Sequence, residues 1–211
     1  MVQRDSTATR SRLLEAARDV IRAKGYGATT VDDICAAAGV SKGSFFHHFA
    51  SKEQLGIAAI EAFDAMAEGL FTTAPYTKLA DPRDRILGYL DLRAALLDGD
   101  IAQYTCLIGT TVQETYATHP DLREAADRAL SSHIAMLEKD LAAAKRKHAP
   151  RARWSPEGVA YFMQSVLQGA FIFAKARQSP DVALECLQHL RRYLESLIGQ
   201  PRPTKQKEMK R

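Results

Sequence analysis

The 211-residue sequence predicts an all-α protein, on three observations. Alternating apolar and polar runs that would mark strands are nearly absent. Apolar residues recur instead at spacings of three and four, and helix-starting and helix-stopping residues punctuate the whole chain. Three capping residues stand directly before prolines, at Asp81-Pro82, Ser155-Pro156 and Ser179-Pro180. There the missing proline N–H falls where no intrahelical partner exists.

About nine helices follow in order. Leu13, Leu14, Ala17, Val20 and Ile21 form the apolar stripe of the first, which Gly25 and Gly27 end. Thr30 caps a second running to about Ala38, with Asp33 at capping-box spacing, and Gly39 stops it. Ser41 caps a short third helix through about His48. Ser51 caps a long fourth, with Gln54 three residues on. The proline starts and His119-Pro120-Asp121 then divide the remainder into helices near 82–98, 102–118, 120–147, 156–178 and 180–198.

Composition narrows the function classes. The chain is 46% hydrophobic with 26% charged residues and a net charge of +4, which suits a folded, weakly basic protein. Residues 1–52 carry eight Lys/Arg against five acids, and residues 201–211 carry five against one. Basic ends suit a polyanion such as nucleic acid, because neutralised phosphates release counterions; a solvated terminus would also explain the tail. Cys35, Cys106 and Cys186 match no disulfide or metal framework, which points to a reducing cytoplasm. Charges occupy the place of a leader's apolar region in MVQRDSTATRSR, and no apolar run approaches ~18 residues, so neither export nor a membrane is expected. No H-E-x-x-H, nucleophile elbow or Gly-rich phosphate loop occurs. An enzyme is therefore disfavoured, and no catalytic residue, metal or cofactor is expected.

The strongest signal is a pair of short helices joined through AAAGVSKG, the second reading SKGSFFHHF. In a helix-turn-helix the glycine permits the turn, Val40 packs the helices together, and the second helix offers its N-terminal residues to the major groove. Lys42 and Ser44 would then meet base edges, with His47, His48 and Lys52 near phosphates. Phe45 and Phe49, four apart, read as core.

The run TTVDDICAAAGVSKGSFFHHFASKEQL resembles the DNA-binding signature of the TetR family of bacterial repressors, closely over residues 7–60. The resemblance implies a DNA-binding domain over residues 1–52, a ligand-binding and dimerisation domain over 53–200, and a basic flexible tail over 201–211. It places Thr30, Lys42, Gly43, Ser44, Phe46, His47, His48 and Lys52 on positions that usually face DNA. Position 46 departs from the pattern: tyrosine is common there, and Phe46 has no hydroxyl to offer a phosphate. The implied function is a ligand-responsive repressor bound as a homodimer to a pseudo-palindromic double-stranded operator. A ligand-independent regulator or an activator is the alternative.

The stretches CLIGTTVQETYATHPDLREA and LQGAFIFAKA are similar to the electrophile-responsive branch of that family, in which a cysteine early in the sixth helix serves as sensor. Cys106 holds that position, and a cation such as Lys175 would favour the reactive thiolate. The competing reading makes Cys106 a small buried hydrophobe. The helices that line the family's cavity bring in Phe63, Met66, Tyr89, Tyr104, Phe162 and Phe171 as candidate contacts for a small-molecule effector. The ninth predicted helix carries a stripe of Leu184, Leu187, Leu190, Leu194 and Leu197, which with the helix before it would form a four-helix, two-fold interface or, alternatively, an intrachain core.

Overall fold

The computed structural model describes residues 2–199, with side chains from Ser6 onward; the basic tail lies outside the described residues. Within them the chain forms ten α-helices: α1 (Val2–Lys24), α2 (Val31–Ala38), α3 (Lys42–His48), α4 (Lys52–Thr73), α5 (Pro82–Ala95), α6 (Ile101–Tyr104), α7 (Leu107–Thr115), α8 (Pro120–His148), α9 (Pro156–Arg177) and α10 (Asp181–Ile198). A 3₁₀ turn, Pro75–Lys78, follows α4 without a counterpart in the expected elements.

Most starts follow from side chains that satisfy exposed backbone donors. The Thr30 hydroxyl accepts the Asp33 N–H at 3.1 Å, while Asp33 Oδ2 accepts the Thr30 N–H at 2.7 Å. Asp81 and Ser155 cap α5 and α9 with proline at the first helical position. At the third proline the register moves by one residue: Pro180 is itself the cap of α10, and Ser179 Oγ accepts the Asp181 N–H at 3.1 Å.

The helix expected over 102–118 is two helices. Thr105 and Cys106 are extended, and the Cys106 sulfur caps α7 by accepting the Gly109 N–H at 3.4 Å. Sulfur is a weak acceptor, and neither glycine nor proline marks the break.

Two apolar cores result. The first gathers Leu13, Ala17, Ile21, Ile34 and Phe45 from α1–α3, and is completed by Leu55 and Ile60 of α4, Leu107 and Ile108 of α7, and Leu122 and Ala126 of α8. Each large side chain withdrawn from water there contributes roughly 1.5–3 kcal/mol. Helices α1–α3 therefore close their core on the body of the protein. The second core joins Phe71 of α4, Leu90 of α5, Leu141 of α8 and the inner faces of α9 and α10. The leucine stripe belongs here: Leu187, Leu190 and Leu194 are buried within the single chain, with Leu184 and Leu197 packed against them. The intrachain reading of that stripe holds.

Candidate functional site

Helix α3 is held from beneath. Phe45 is fully buried and Phe49 nearly so, fixing the helix against α1, while Ser41 Oγ accepts the Ser44 N–H at 3.1 Å at its start. Gly39, at φ 63° and ψ 41°, makes the left-handed turn between α2 and α3 that a side chain would strain. The outward face then carries Lys42, Gly43, Phe46 and His47 exposed, with Ser44 and His48 half-buried beside them. Lys42 Nζ lies 2.9 Å from Asp32 of α2 in an exposed ion pair, the kind that water leaves nearly free to exchange partners. Phe46 is 52% exposed and stands edge-on to Phe45, so an apolar ring occupies the surface at this position. Thr30 is exposed at the start of α2, its hydroxyl donating to Asp33 at 2.6 Å. Lys24, then Thr30, hold the Asp33 carboxyl well below the usual carboxylate range.

Lys52, the residue expected near phosphates, is half-buried at the start of α4. Its ammonium donates to the carbonyls of Tyr26 and Thr29, each at 3.0 Å, and lies 4.2 Å from the Tyr26 ring centre. Burial lowers its pKa. Lys52 thus ties the α1–α2 turn to the start of α4, with two of its three donors already engaged.

Beneath this unit lies a cavity of about 180 Å³ between α1, α4, α5, α8 and α9 and the α6–α7 break. Of the expected effector contacts, Phe63, Met66, Tyr104, Cys106 and Phe171 line it. Tyr89 lies behind its wall, and Phe162 is elsewhere: 44% exposed on the outer face of α9, edge-on to Tyr193 of α10. Lys175 lines a neighbouring cleft of about 250 Å³ that also reaches Cys106. Its Nζ donates to Thr110 Oγ1 at 3.0 Å, and burial followed by repulsion from Arg22 lowers its pKa. Cys106 therefore stands between two cavities and against both cores.

Arg93, His133 and Gln164, outside the expected set, also line the cavity and meet at Tyr89. Tyr89 Oη accepts from Arg93 Nε at 2.8 Å and from Gln164 Nε2 at 2.9 Å, which leaves its proton for His133 Nε2 at 3.0 Å. Burial, then the Arg93 charge, pushes the His133 pKa down to about 3, so the ring is neutral and serves as acceptor. Gln164 is one of two amides in the apolar run of α9, with Gln168, and Arg93 and His133 meet it from other helices.

Two contacts join this region to the helix-turn-helix. Arg22, at the end of α1, donates to the Gln103 carbonyl of α6. Glu114 of α7 accepts the Gly27 N–H at 2.7 Å and fills the space over Gly25, whose φ of 89° favours glycine. Tyr161, Phe162, Ile172 and Phe173 of α9 and Tyr193 of α10 are apolar side chains left in solvent, Phe162 and Tyr193 edge-on to each other. Among the described residues no helix is long and apolar enough to cross a membrane.

Known proteins share this arrangement. The chain is 28% identical over 185 residues to the HTH-type transcriptional repressor NemR of Escherichia coli (strain K12), covering 87% of this chain and 92% of that protein. It is 27% identical over 175 residues to the HTH-type transcriptional repressor DhaR of Mycobacterium sp. (strain GP1), covering 83% and 86% respectively. The crystal structure of reduced E. coli NemR matches with a TM-score of 0.76 at 26% identity, over 92% of this chain and 100% of that one. Residues 82–190 match the tetracyclin repressor-like C-terminal domain, and residues 13–59 match the N-terminal domain of the tetR family of bacterial regulatory proteins. With both domains in sequence and a helix-turn-helix built on Phe45 and Gly39, the chain belongs to the TetR family of bacterial regulatory proteins.

Proposed function

We propose that this protein is a ligand-responsive transcriptional repressor, acting in the cytoplasm as a homodimer on a pseudo-palindromic double-stranded operator. The observation that carries the reading is the α3 surface: a buried Phe45–Phe49 anchor under an outward face of Lys42, Gly43, Ser44, His47 and His48. A lysine donates to guanine O6 and N7, a serine is permissive toward either partner, and the glycine lets backbone approach DNA. Thr30 and the helix starts at Ser41 and Ser51 add donors for phosphate oxygens. In this reading residues 1–52 bind DNA, and residues 53–200 bind the effector and form the dimer.

The dimer is assigned to the outer faces of α9 and α10. Solvent-exposed Phe162, Ile172, Phe173 and Tyr193 form the kind of contiguous apolar patch that marks an interface, and two such helices from each subunit make a two-fold four-helix contact. The recognition helices of the two subunits then reach major grooves ~34–36 Å apart.

Release is assigned to the body of the protein. A small molecule in the cavity, or a thiol-reactive compound at Cys106, would act where α6 and α7 touch α1 through Arg22 and the α1–α2 turn through Glu114. A ligand that moves a DNA-competent population from 99:1 to 1:99 must prefer the other state by ~10⁴-fold, so weaker preference gives partial release. A reporter strain tests the repressor assignment. Deleting the gene should raise expression of its target and restoring it should lower expression; a fall on deletion would identify an activator.

A further inference from the structure

Three buried polar atoms of lining residues have no hydrogen-bond partner among the described residues: Arg22 Nε, the Tyr104 hydroxyl and the Thr105 hydroxyl. Their residues are 6%, 9% and 1% exposed, and all three line the cavity. Buried polar groups in native proteins are nearly always paired, so three unpaired atoms on one lining stand out. Tyr104 and Thr105 are consecutive at the α6–α7 break, and Arg22 is bound to the carbonyl of Gln103 just before them.

Two cations also line the cavity without an ion-paired carboxylate. Arg22 and Arg93 both line the cavity, and neither has a carboxylate within ion-pair distance among the described residues. Desolvation and the neighbouring Arg18 lower the Arg22 pKa to about 10, which leaves it cationic at neutral pH. Asp64 is the one carboxyl on the lining among the described residues; it is half-exposed on α4 and pairs with neither arginine. The rest of the wall is largely apolar, including Phe63, Leu97, Ile108 and Phe171.

We propose that this cavity takes a compact carboxylate with a short apolar body, its anionic group held by Arg22 and by the hydroxyls of Tyr104 and Thr105. The assignment rests on reading the cavity as the effector site. A volume of about 180 Å³ lies below the ~300–1,000 Å³ usual for drug-sized ligands, so the molecule is on the order of ten non-hydrogen atoms. A guanidinium and two hydroxyls match the planar acceptors of a carboxylate, and the apolar wall takes the hydrocarbon. Because Arg22 belongs to α1, whose inner face carries the helix-turn-helix, such a ligand would act on a residue of the DNA-binding unit itself.

The test is calorimetric titration of the full chain with hexanoate, benzoate and hexanamide. Hexanoate or benzoate should bind saturably, and the neutral hexanamide should bind at least ~10-fold more weakly, the worth of a charge-assisted hydrogen bond. Arg22→Gln should show the same loss. Because Arg22 also holds Gln103, Tyr104→Phe provides a second variant: its hydroxyl has no partner to lose, so the ligand-free protein should keep or gain thermal stability while hexanoate binding weakens. Equal binding of hexanamide, an unchanged affinity in both variants, or no carboxylate binding up to about 10 mM would overturn the proposal. Affinity for a selected DNA site is measured in parallel. Carboxylate binding that leaves DNA affinity unchanged supports the site and removes the effector role. Release of DNA by hexanamide without carboxylate binding overturns the site and keeps that role.

Discussion

Replacing Lys52 by methionine separates a structural lysine from a DNA-contacting one. Methionine keeps an unbranched stem against the Tyr26 ring and removes the ammonium that serves the carbonyls of Tyr26 and Thr29. Hydrogen bonds from a charged donor contribute ~1.5–3 kcal/mol each and an exposed cation–π contact ~0.5–1 kcal/mol. The site is partly open to water, which can replace one of these bonds, so the expected cost is about 2–4 kcal/mol. For a chain of this size that lowers the thermal midpoint by roughly 5–15 °C. The assay pairs urea denaturation with DNA titrations across a salt series. Lys52→Met should lose stability while the slope of log affinity against log salt stays unchanged. An unaltered stability with a slope reduced by about 1 would show a phosphate contact and refute the structural role.

Phe173→Glu, on the 57% exposed ring of α9, should yield a folded monomer by light scattering, whereas Leu187→Glu, inside the second core, should unfold the protein; a dimeric Phe173→Glu would displace the interface. His133 is neutral when folded and takes a proton first when unfolded, so its contribution to stability is complete above about pH 6.5 and is lost as pH falls toward 3. That loss amounts to about 2 kcal/mol at pH 5 by denaturant titration, and His133→Asn should show none of it. A mild thiol reagent should weaken DNA binding in the parent and in Cys35→Ser but not in Cys106→Ser; an unchanged response in Cys106→Ser would leave Cys106 as the packed cap of α7.

The helix-turn-helix was legible in the sequence because its determinants are local. Thr30, Gly39 and Ser41 act on neighbours within four residues, and Phe45 and Phe49 repeat at one helical turn, so both patterns survive in a linear string. Contacts between distant residues are less legible. Lys52 follows a capping serine and reads as a phosphate ligand, and the carbonyls it meets within the chain come from a turn more than twenty residues earlier. The leucine stripe of α10 announces burial without naming its partner, and Met163 and Leu167 of the same chain supply it. Phe162 shares the apolar run of α9, and only the helix's rotation sends its ring to solvent. The break at Thr105–Cys106 has no glycine or proline, and its capping atom is a sulfur.

DNA recognition is tested most directly by selecting binding sites from a random double-stranded pool with the full chain, then titrating the winning sequence with the parent and with Lys42→Ala. The enriched sites should be pseudo-palindromes bound by a dimer, and Lys42→Ala should lose ~1–3 kcal/mol on them while its fold and dimer remain intact, since its partner Asp32 forms only an exposed pair. A pool that yields no enriched sequence, or a Lys42→Ala protein that binds the selected site as tightly as the parent, would contradict the assignment of α3 as the helix that reads DNA.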